Sequence, residues 1–195
     1  KLQLQKGDRV LDIGCGWGGF AKYAAEHYDV SVTGITLSQE QLAYAKEFTK
    51  GLDVNLRLQD YRDLNDTFDK ILVCGMIEHV GYKNYGEIMN VVHRSLADDG
   101  LFLLHTISYK VSQPTSDPWI NKYIFPGGAL PSITQIGKAT ENLFIIEDLH
   151  NFGADYDKTL MVWFKNFDAA WPRLKAKYDE RFYRMWKYYL LSVAG

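Results

Sequence analysis

A chain of 195 residues with a formal net charge of −2 can bury one core over a sheet as a single domain over residues 1–195, and is too nearly neutral to hold nucleic acid by bulk electrostatics, although a local basic face stays open. Its two cysteines, Cys15 and Cys74, lie far apart and each ends a predicted strand, so they read as reduced thiols and not as a disulfide framework. No apolar run approaches about 18 residues and no basic, apolar and small-residue signal stands at the start, so no segment reads as a membrane span or a leader.

Gly7-Asp8 turns into a first strand over residues 9 to 13 (RVLDI), followed by glycines at 14, 16, 18 and 19. Four glycines in six positions leave no Cβ to keep a ligand off the backbone. Phe20, Tyr23 and Ala24 share one helical face, so the turn opens onto the N-terminus of a helix over residues 17 to 27, whose free N–H groups face whatever lies there. Residues 30 to 36 (VSVTGIT) read as a second strand. Ser38 caps the next helix, which carries Gln41, Leu42, Ala45 and Phe48 and is ended by Gly51. Residues 54 to 59 make a third strand, and residues 68 to 75 (FDKILVCG) a fourth, almost wholly apolar as in a central parallel strand. A helix over residues 82 to 96 ends at Asp98-Asp99-Gly100, and residues 101 to 107 (LFLLHTI) form a fifth strand. Such alternation builds an α/β, doubly wound, mostly parallel sheet.

Residues 109 to 131 hold four of the five prolines and little periodicity, so they form a long excursion. Their aromatic content (Trp119, Tyr123, Phe125) suits an ordered lid or pocket wall. Ser132 then caps a helix to about Asn142, residues 143 to 149 (LFIIEDL) read as a sixth strand, and residues 156 to 178 as a helix kinked or divided by Pro172. A last helix runs over residues 180 to 193. The chain lacks an initiator Met and stops with helical periodicity still running, as a piece of a longer protein would.

Gly14-x-Gly16-x-x-Gly19 also fits the dinucleotide fingerprint, which requires a carboxylate at the end of the second strand. That strand ends in Thr36-Leu37-Ser38. Asp12 instead ends the first strand, and Asp12-x-Gly14-x-Gly16-x-Gly18 resembles the glycine pattern of class I S-adenosylmethionine (SAM) methyltransferases. A tight turn that binds nothing is the plain alternative, but it needs fewer glycines. Ligands of such sheets lie at the carboxyl ends of the strands, which here are Asp12 with Gly14, Cys15 and Gly16; Thr36-Leu37; Asp60-Tyr61-Arg62; Cys74 to Glu78; and His105 to Ile107. The first three groups suit a nucleoside, with the glycine backbone for an amino acid end, Thr36 and Gln41 for ribose, and Asp60 and Tyr61 for adenine. Glu78 follows an apolar strand end, where an unpaired carboxylate is costly, so it either meets a salt-bridge partner or faces a reacting centre. His105 in LFLLHTI is either a hydrogen-bonded core residue or part of that centre, and no second ligand stands at metal-binding spacing. His79, His93 and His150 read as structural.

The stretches VLDIGCGWGGFAKYAAEHYDVSVTGITLSQEQ, LQDYRDL, GMIEHVG, FLLHTI, PWINKYIFPGG and HNFGADYDKTLMVW together resemble the bacterial cyclopropane-fatty-acyl-phospholipid synthases, over almost the whole chain. The resemblance implies a Rossmann-like SAM methyltransferase domain that moves a methyl group onto a cis double bond of a phospholipid acyl chain and then loses a proton to close a cyclopropane ring. It assigns the role of base to bicarbonate, held by Glu78, His105, Ile107 and Tyr156, and places Thr36, Leu37 and Gln41 with Asp60 and Tyr61 around the SAM. It also implies an N-terminal region preceding this chain and a last strand following it, which leaves the sheet incomplete at its C-terminal edge and the activity of this stretch alone open. It further implies a cytoplasmic protein with peripheral contact at the inner membrane surface.

Arg173, Lys175, Lys177, Arg181, Arg184 and Lys187 alternate with aromatic residues from Tyr178 to Tyr189. They read either as a membrane-facing helix or as one with its aromatic side buried and its basic side solvated. A SAM methyltransferase acting on another lipid or a small molecule, and a SAM-binding module without catalysis, remain rival readings, and a homodimer is neither implied nor excluded.

Overall fold

The computed structural model describes residues 1–194 and resolves two compact units. The first comprises Lys1–Pro114 with Gly128–Phe144, the second Thr115–Gly127 with the chain from Ile145 onward.

In the first unit five strands, β1 (Arg9–Ile13), β2 (Ser31–Thr36), β3 (Val54–Leu58), β4 (Phe68–Cys74) and β5 (Leu96–His105), lie in the order β3-β2-β1-β4-β5. All four pairings are parallel, so every carboxyl end lies on one edge of the sheet, and the order reverses between β2 and β4, on either side of β1. Parallel strands need a covered surface on both faces, and β1 shows how the sequence supplies it. Val10 packs with Ala21 and Ala24 of α1 (Gly19–Tyr28). Leu11 and Ile13 point the other way, into the larger core with Ile35, Ile71, Val73 and the Ile88, Met89 and Val92 side of α3 (Tyr85–Ser95). The α2 helix (Gln39–Phe48) is capped as expected, the Gln41 N–H donating to Ser38 Oγ at 3.2 Å.

The structure corrects three expectations. Residues 143 to 149 form no strand: Leu143 and Phe144 pack on the first unit's core, and Ile145 is 90% exposed. An apolar run makes a strand only where its backbone is paired in a ladder, and among the described residues no strand pairs with residues 143 to 149, β5 being left as an edge beside β4. The fifth strand begins at Leu96, not Leu101, because Phe68 pairs with Leu96 and Lys70 with Leu101, so Asp98-Asp99-Gly100 is an irregularity within β5 and not a break before it. The helix α6 (Tyr156–Leu174) is not divided by Pro172; it ends two residues later, short of the expected Tyr178, since a proline in the last turn removes one ladder bond and little else.

The excursion over residues 109 to 131 is ordered. Tyr109 bridges to Ser132, α4 (Pro118–Tyr123) starts on an Asp117 cap, and Ser132 and Gln135 close a reciprocal capping box at the start of α5 (Ile133–Thr140).

In the second unit, α7 (Glu180–Ala194) contributes Tyr189 and Leu190 to a core with Leu160, Trp186 and Phe164. The Lys187 ammonium lies 5.8 Å from the Phe164 ring centre, and Tyr188 stays exposed. The aromatic side of this helix is thus partly buried and its basic side largely open. No helix among the described residues is long and apolar enough to cross a membrane.

Candidate active site

The turn after β1 is shaped by two glycines. Gly14 has φ +80°, and a Cβ there would lie 2.7 Å from Met76 Cγ, so only glycine lets the ends of β1 and β4 approach this closely. Gly16, at φ +53°, has nothing within 4 Å of its Cβ position, which leaves open space over the backbone. The N–H groups of Gly14 and Cys15 both donate to the Ile35 carbonyl at 3.0 Å. At these two positions a ligand is therefore offered room and not donors. The Cys15 side chain turns inward against Ala45 and Leu56, and burial, followed by the nearby Asp12, pushes its thiol up to about 12. It is a small apolar filler at neutral pH.

Asp12 is 3% exposed, and its carboxylate accepts no hydrogen bond among the described residues. Burial alone pushes its carboxyl up to about 7, which is the state expected of an anion awaiting a cationic partner. At the end of β2, Thr36 Oγ1 accepts the Ser38 N–H at 3.1 Å and donates to Gln41 Oε1 at 2.9 Å. That bond holds Gln41 by its oxygen and leaves its NH2 as the donor for a ligand hydroxyl. Leu37 beside it is 71% exposed on the rim.

After β3, Asp60 is gripped by Arg62, through Nε at 2.9 Å and Nη2 at 2.7 Å. The Arg62 hydrogen bonds hold its carboxyl below the usual range. A carboxylate retains lone pairs for further donors, so Asp60 stays available to a ligand amine, but Arg62 is a brace for Asp60 with its guanidinium over the Tyr61 ring. The Tyr61 hydroxyl in turn donates to Glu87 at 3.3 Å, a partner on α3 that nothing in the sequence singles out.

The ends of β4 and β5 meet across their register pair Cys74 and His105. Cys74 Sγ lies 3.4 Å from His105 Nδ1, and the Gly75 N–H donates to the His105 carbonyl at 3.0 Å. Desolvation, then Asp12 and Glu78, push the Cys74 thiol up. Glu78 sits on a 3-10 turn (Ile77–His79) just beyond β4 and is 8% exposed. Its Oε1 accepts the Ile107 N–H at 3.0 Å. Its Oε2 is buried with no hydrogen-bond partner among the described residues. A buried carboxylate oxygen left in this state costs on the order of 1–3 kcal/mol or more, and such a cost is met by a ligand or a proton.

Glu78, Ile107 and His105 therefore gather on the β4–β5 side of the strand-order reversal, and the glycine turn, Asp12, Thr36 and Gln41 on the β1–β2 side, all within the first unit. Tyr156 starts α6 in the second unit, where its ring meets Trp163 edge-on at 6.0 Å. The geometry of the first unit suits an oxyanion at Glu78, with open space over the Gly16 backbone on the other side of the order reversal. No cluster of metal-binding side chains occurs among the described residues.

Over residues 1–195 the chain matches the family described as mycolic acid cyclopropane synthetase. Cyclopropane-fatty-acyl-phospholipid synthase of Escherichia coli (strain K12) is 60% identical over 195 residues, which are 100% of this chain and 51% of that protein. The chain thus spans about half the length of the curated relatives it matches. Among solved structures, the cyclopropane synthase MmaA2 from Mycobacterium tuberculosis matches with a TM-score of 0.90 at 30% identity, over 99% of this chain and 74% of that one. The mycolic acid cyclopropane synthase CmaA1, complexed with SAH and CTAB, matches with a TM-score of 0.89 at 30% identity and the same coverage.

Proposed function

Because the chain belongs to the mycolic acid cyclopropane synthetase family, we propose that it serves SAM-dependent cyclopropanation, adding a methylene group to a cis double bond of an unsaturated phospholipid acyl chain, with bicarbonate receiving the proton. The observation that carries this reading is the buried Glu78 carboxylate. One of its oxygens is fixed by Ile107 and the other has no partner among the described residues, across the strand-order reversal from a glycine turn with open space above it.

The residues present fit a SAM molecule. Open space at Gly16, the Asp12 carboxylate without a donor among the described residues and the Gln41 NH2 are what the ammonium of a zwitterionic amino acid end and a ribose require. When bound, SAM supplies a methyl carbon made electrophilic by its sulfonium. An alkene is a poor nucleophile, so the chain's own work is to orient the reactants and keep water away. Asp12 offsets positive charge, Thr36 and Gln41 fix the ribose, and Asp60 and Tyr61 hold the adenine.

Glu78 Oε2 would hold a bicarbonate oxygen through a shared proton, a charge-assisted contact that would offset the cost of burying both. The Ile107 N–H is spent on Glu78 and its carbonyl accepts the Thr106 hydroxyl at 2.9 Å, so what the Ile107 backbone would still offer bicarbonate is the carbonyl's second lone pair, for the bicarbonate hydroxyl. His105, in contact with Cys74 through Nδ1, would be the imidazole beside the anion. The family resemblance adds Tyr156 to the same step, and that assignment rests on its GADYD motif. An acyl substrate must leave a bilayer, so peripheral contact at the inner membrane surface belongs to the same proposal.

The test is mass spectrometry of unsaturated phospholipid incubated with the full-length protein, SAM and bicarbonate. Gain of one CH2 with loss of the olefin is expected. Gain of CH2 with the double bond retained would assign a methyl-branching reaction. Absence of calorimetric heat with both SAM and S-adenosylhomocysteine would reject every SAM-dependent reading.

A further inference from the structure

Two short segments carry Glu78 and Ile107, and neither belongs to a helix of any length or to the sheet. Glu78 lies on a single 3-10 turn, and Ile107 lies past the last residue of β5. A third segment, residues 128 to 132, ties them together. The Ala129 N–H donates to the Glu78 carbonyl at 2.8 Å, and the Tyr109 N–H donates to the Pro131 carbonyl at 2.9 Å, two residues past Ile107. Ser132 bridges to Tyr109 and lies 2.7 Å from the Ser112 hydroxyl through its own. The segment is a strap that joins the Glu78 turn to the stretch just after Ile107 through these main-chain bonds.

One side chain from the core anchors this strap. Tyr85, the first residue of α3, is 2% exposed, and its hydroxyl donates to the Ala129 carbonyl at 3.3 Å. Ala129 is therefore held from both sides of its backbone, by Tyr85 through its carbonyl and by Glu78 through its N–H. Burial, with Glu78 adding in the same direction, pushes the Tyr85 hydroxyl up, so it stays a donor at neutral pH.

We infer that Tyr85 is a positioning residue for Glu78: its hydroxyl, acting through Ala129 and the strap, holds the 3-10 turn so that Glu78 Oε1 meets Ile107 and Oε2 faces the anion. The inference rests on the reading of Glu78 as the bicarbonate-holding group. It touches neither substrate nor SAM.

The test is Tyr85→Phe in the full-length protein, beside Glu78→Gln. The ring keeps the core filled and only the hydroxyl is lost. Expected are SAM affinity unchanged by calorimetry, a bicarbonate KM raised about five-fold, the worth of one hydrogen bond, and faster amide hydrogen exchange at Ala129 and Ile107 than in the unaltered protein. Unchanged bicarbonate KM with unchanged exchange at both amides overturns the inference, as does an equal loss of SAM and bicarbonate affinity, which marks general destabilisation. If Glu78→Gln leaves the bicarbonate dependence intact, the bicarbonate reading itself fails; faster exchange at Ile107 in Tyr85→Phe then still supports the positioning of Glu78, and unchanged exchange there overturns it.

Discussion

Asp12 and Glu78 are both acidic and both nearly sealed from solvent, yet they lack different things. Among the described residues, the Asp12 carboxyl has no hydrogen-bond donor and is pushed up by burial, whereas Glu78 has one backbone donor and one oxygen without a partner. The first is suited to a diffuse positive charge, the second to a directional hydrogen bond with an oxyanion. Glu78→Gln keeps the shape and the bond to the Ile107 N–H. It is expected to leave SAM affinity within about two-fold while lowering turnover roughly 100-fold or more, the range of a lost proton-handling group. Calorimetry and product mass spectrometry measure the two, and unchanged turnover would remove Glu78 from the mechanism. Its chemistry was legible in the sequence because a carboxylate directly after an apolar strand demands an explanation. Its partner was not, since the donor is a main-chain N–H 29 residues away.

At the scale of elements, the strand-turn-helix around Gly14 shows a local pattern and a tertiary contact enforcing the same residue. The positive φ is a property of the turn, and the 2.7 Å approach to Met76 is a property of where β4 ends. Gly14→Ala meets both obstacles, and is expected to cost on the order of 1–3 kcal/mol and to weaken SAM binding at least about ten-fold by moving the Met76 turn. Thermal unfolding and calorimetry read the two effects, and an alanine variant that binds SAM normally would show that the turn has slack. Capped helices were legible element by element, as Ser38 and the Ser132–Gln135 box demonstrate, because a cap is made by residues three apart. LFIIEDL was misread because a strand is made by its neighbour.

For the whole molecule, Asp12 links cofactor binding, pH and stability. Its carboxyl titrates near 7 in the folded chain against 3.8 when unfolded, so the folded state holds the proton more tightly. The stability this contributes to the ligand-free protein is fully present below about pH 4 and is lost as pH rises through 7, on the order of 4 kcal/mol in all. If Asp12 meets the SAM ammonium as proposed, affinity for SAM is expected to run the other way, rising as pH climbs through 7 because the ionised carboxylate would be the binding form. Thermal unfolding of Asp12→Asn is therefore expected to depend less on pH between 5 and 8 than that of the unaltered chain, and its SAM affinity to be flat over the same range; parallel profiles for the two proteins would count against an unpartnered Asp12. The sequence by itself determined the parallel α/β sheet, the glycine turn at its first strand and the acidic, histidine and threonine residues at the strand ends, because periodicity, capping and turn chemistry act over a few neighbouring residues. Only the tertiary structure decided that Tyr61 meets Glu87, that Cys15 faces the core, that Gly14 and Cys15 have spent their N–H groups on Ile35, and that one oxygen of Glu78 is satisfied while the other has no partner among the described residues. Each of those outcomes is a hydrogen bond or a contact that exists only once the chain has closed into three dimensions.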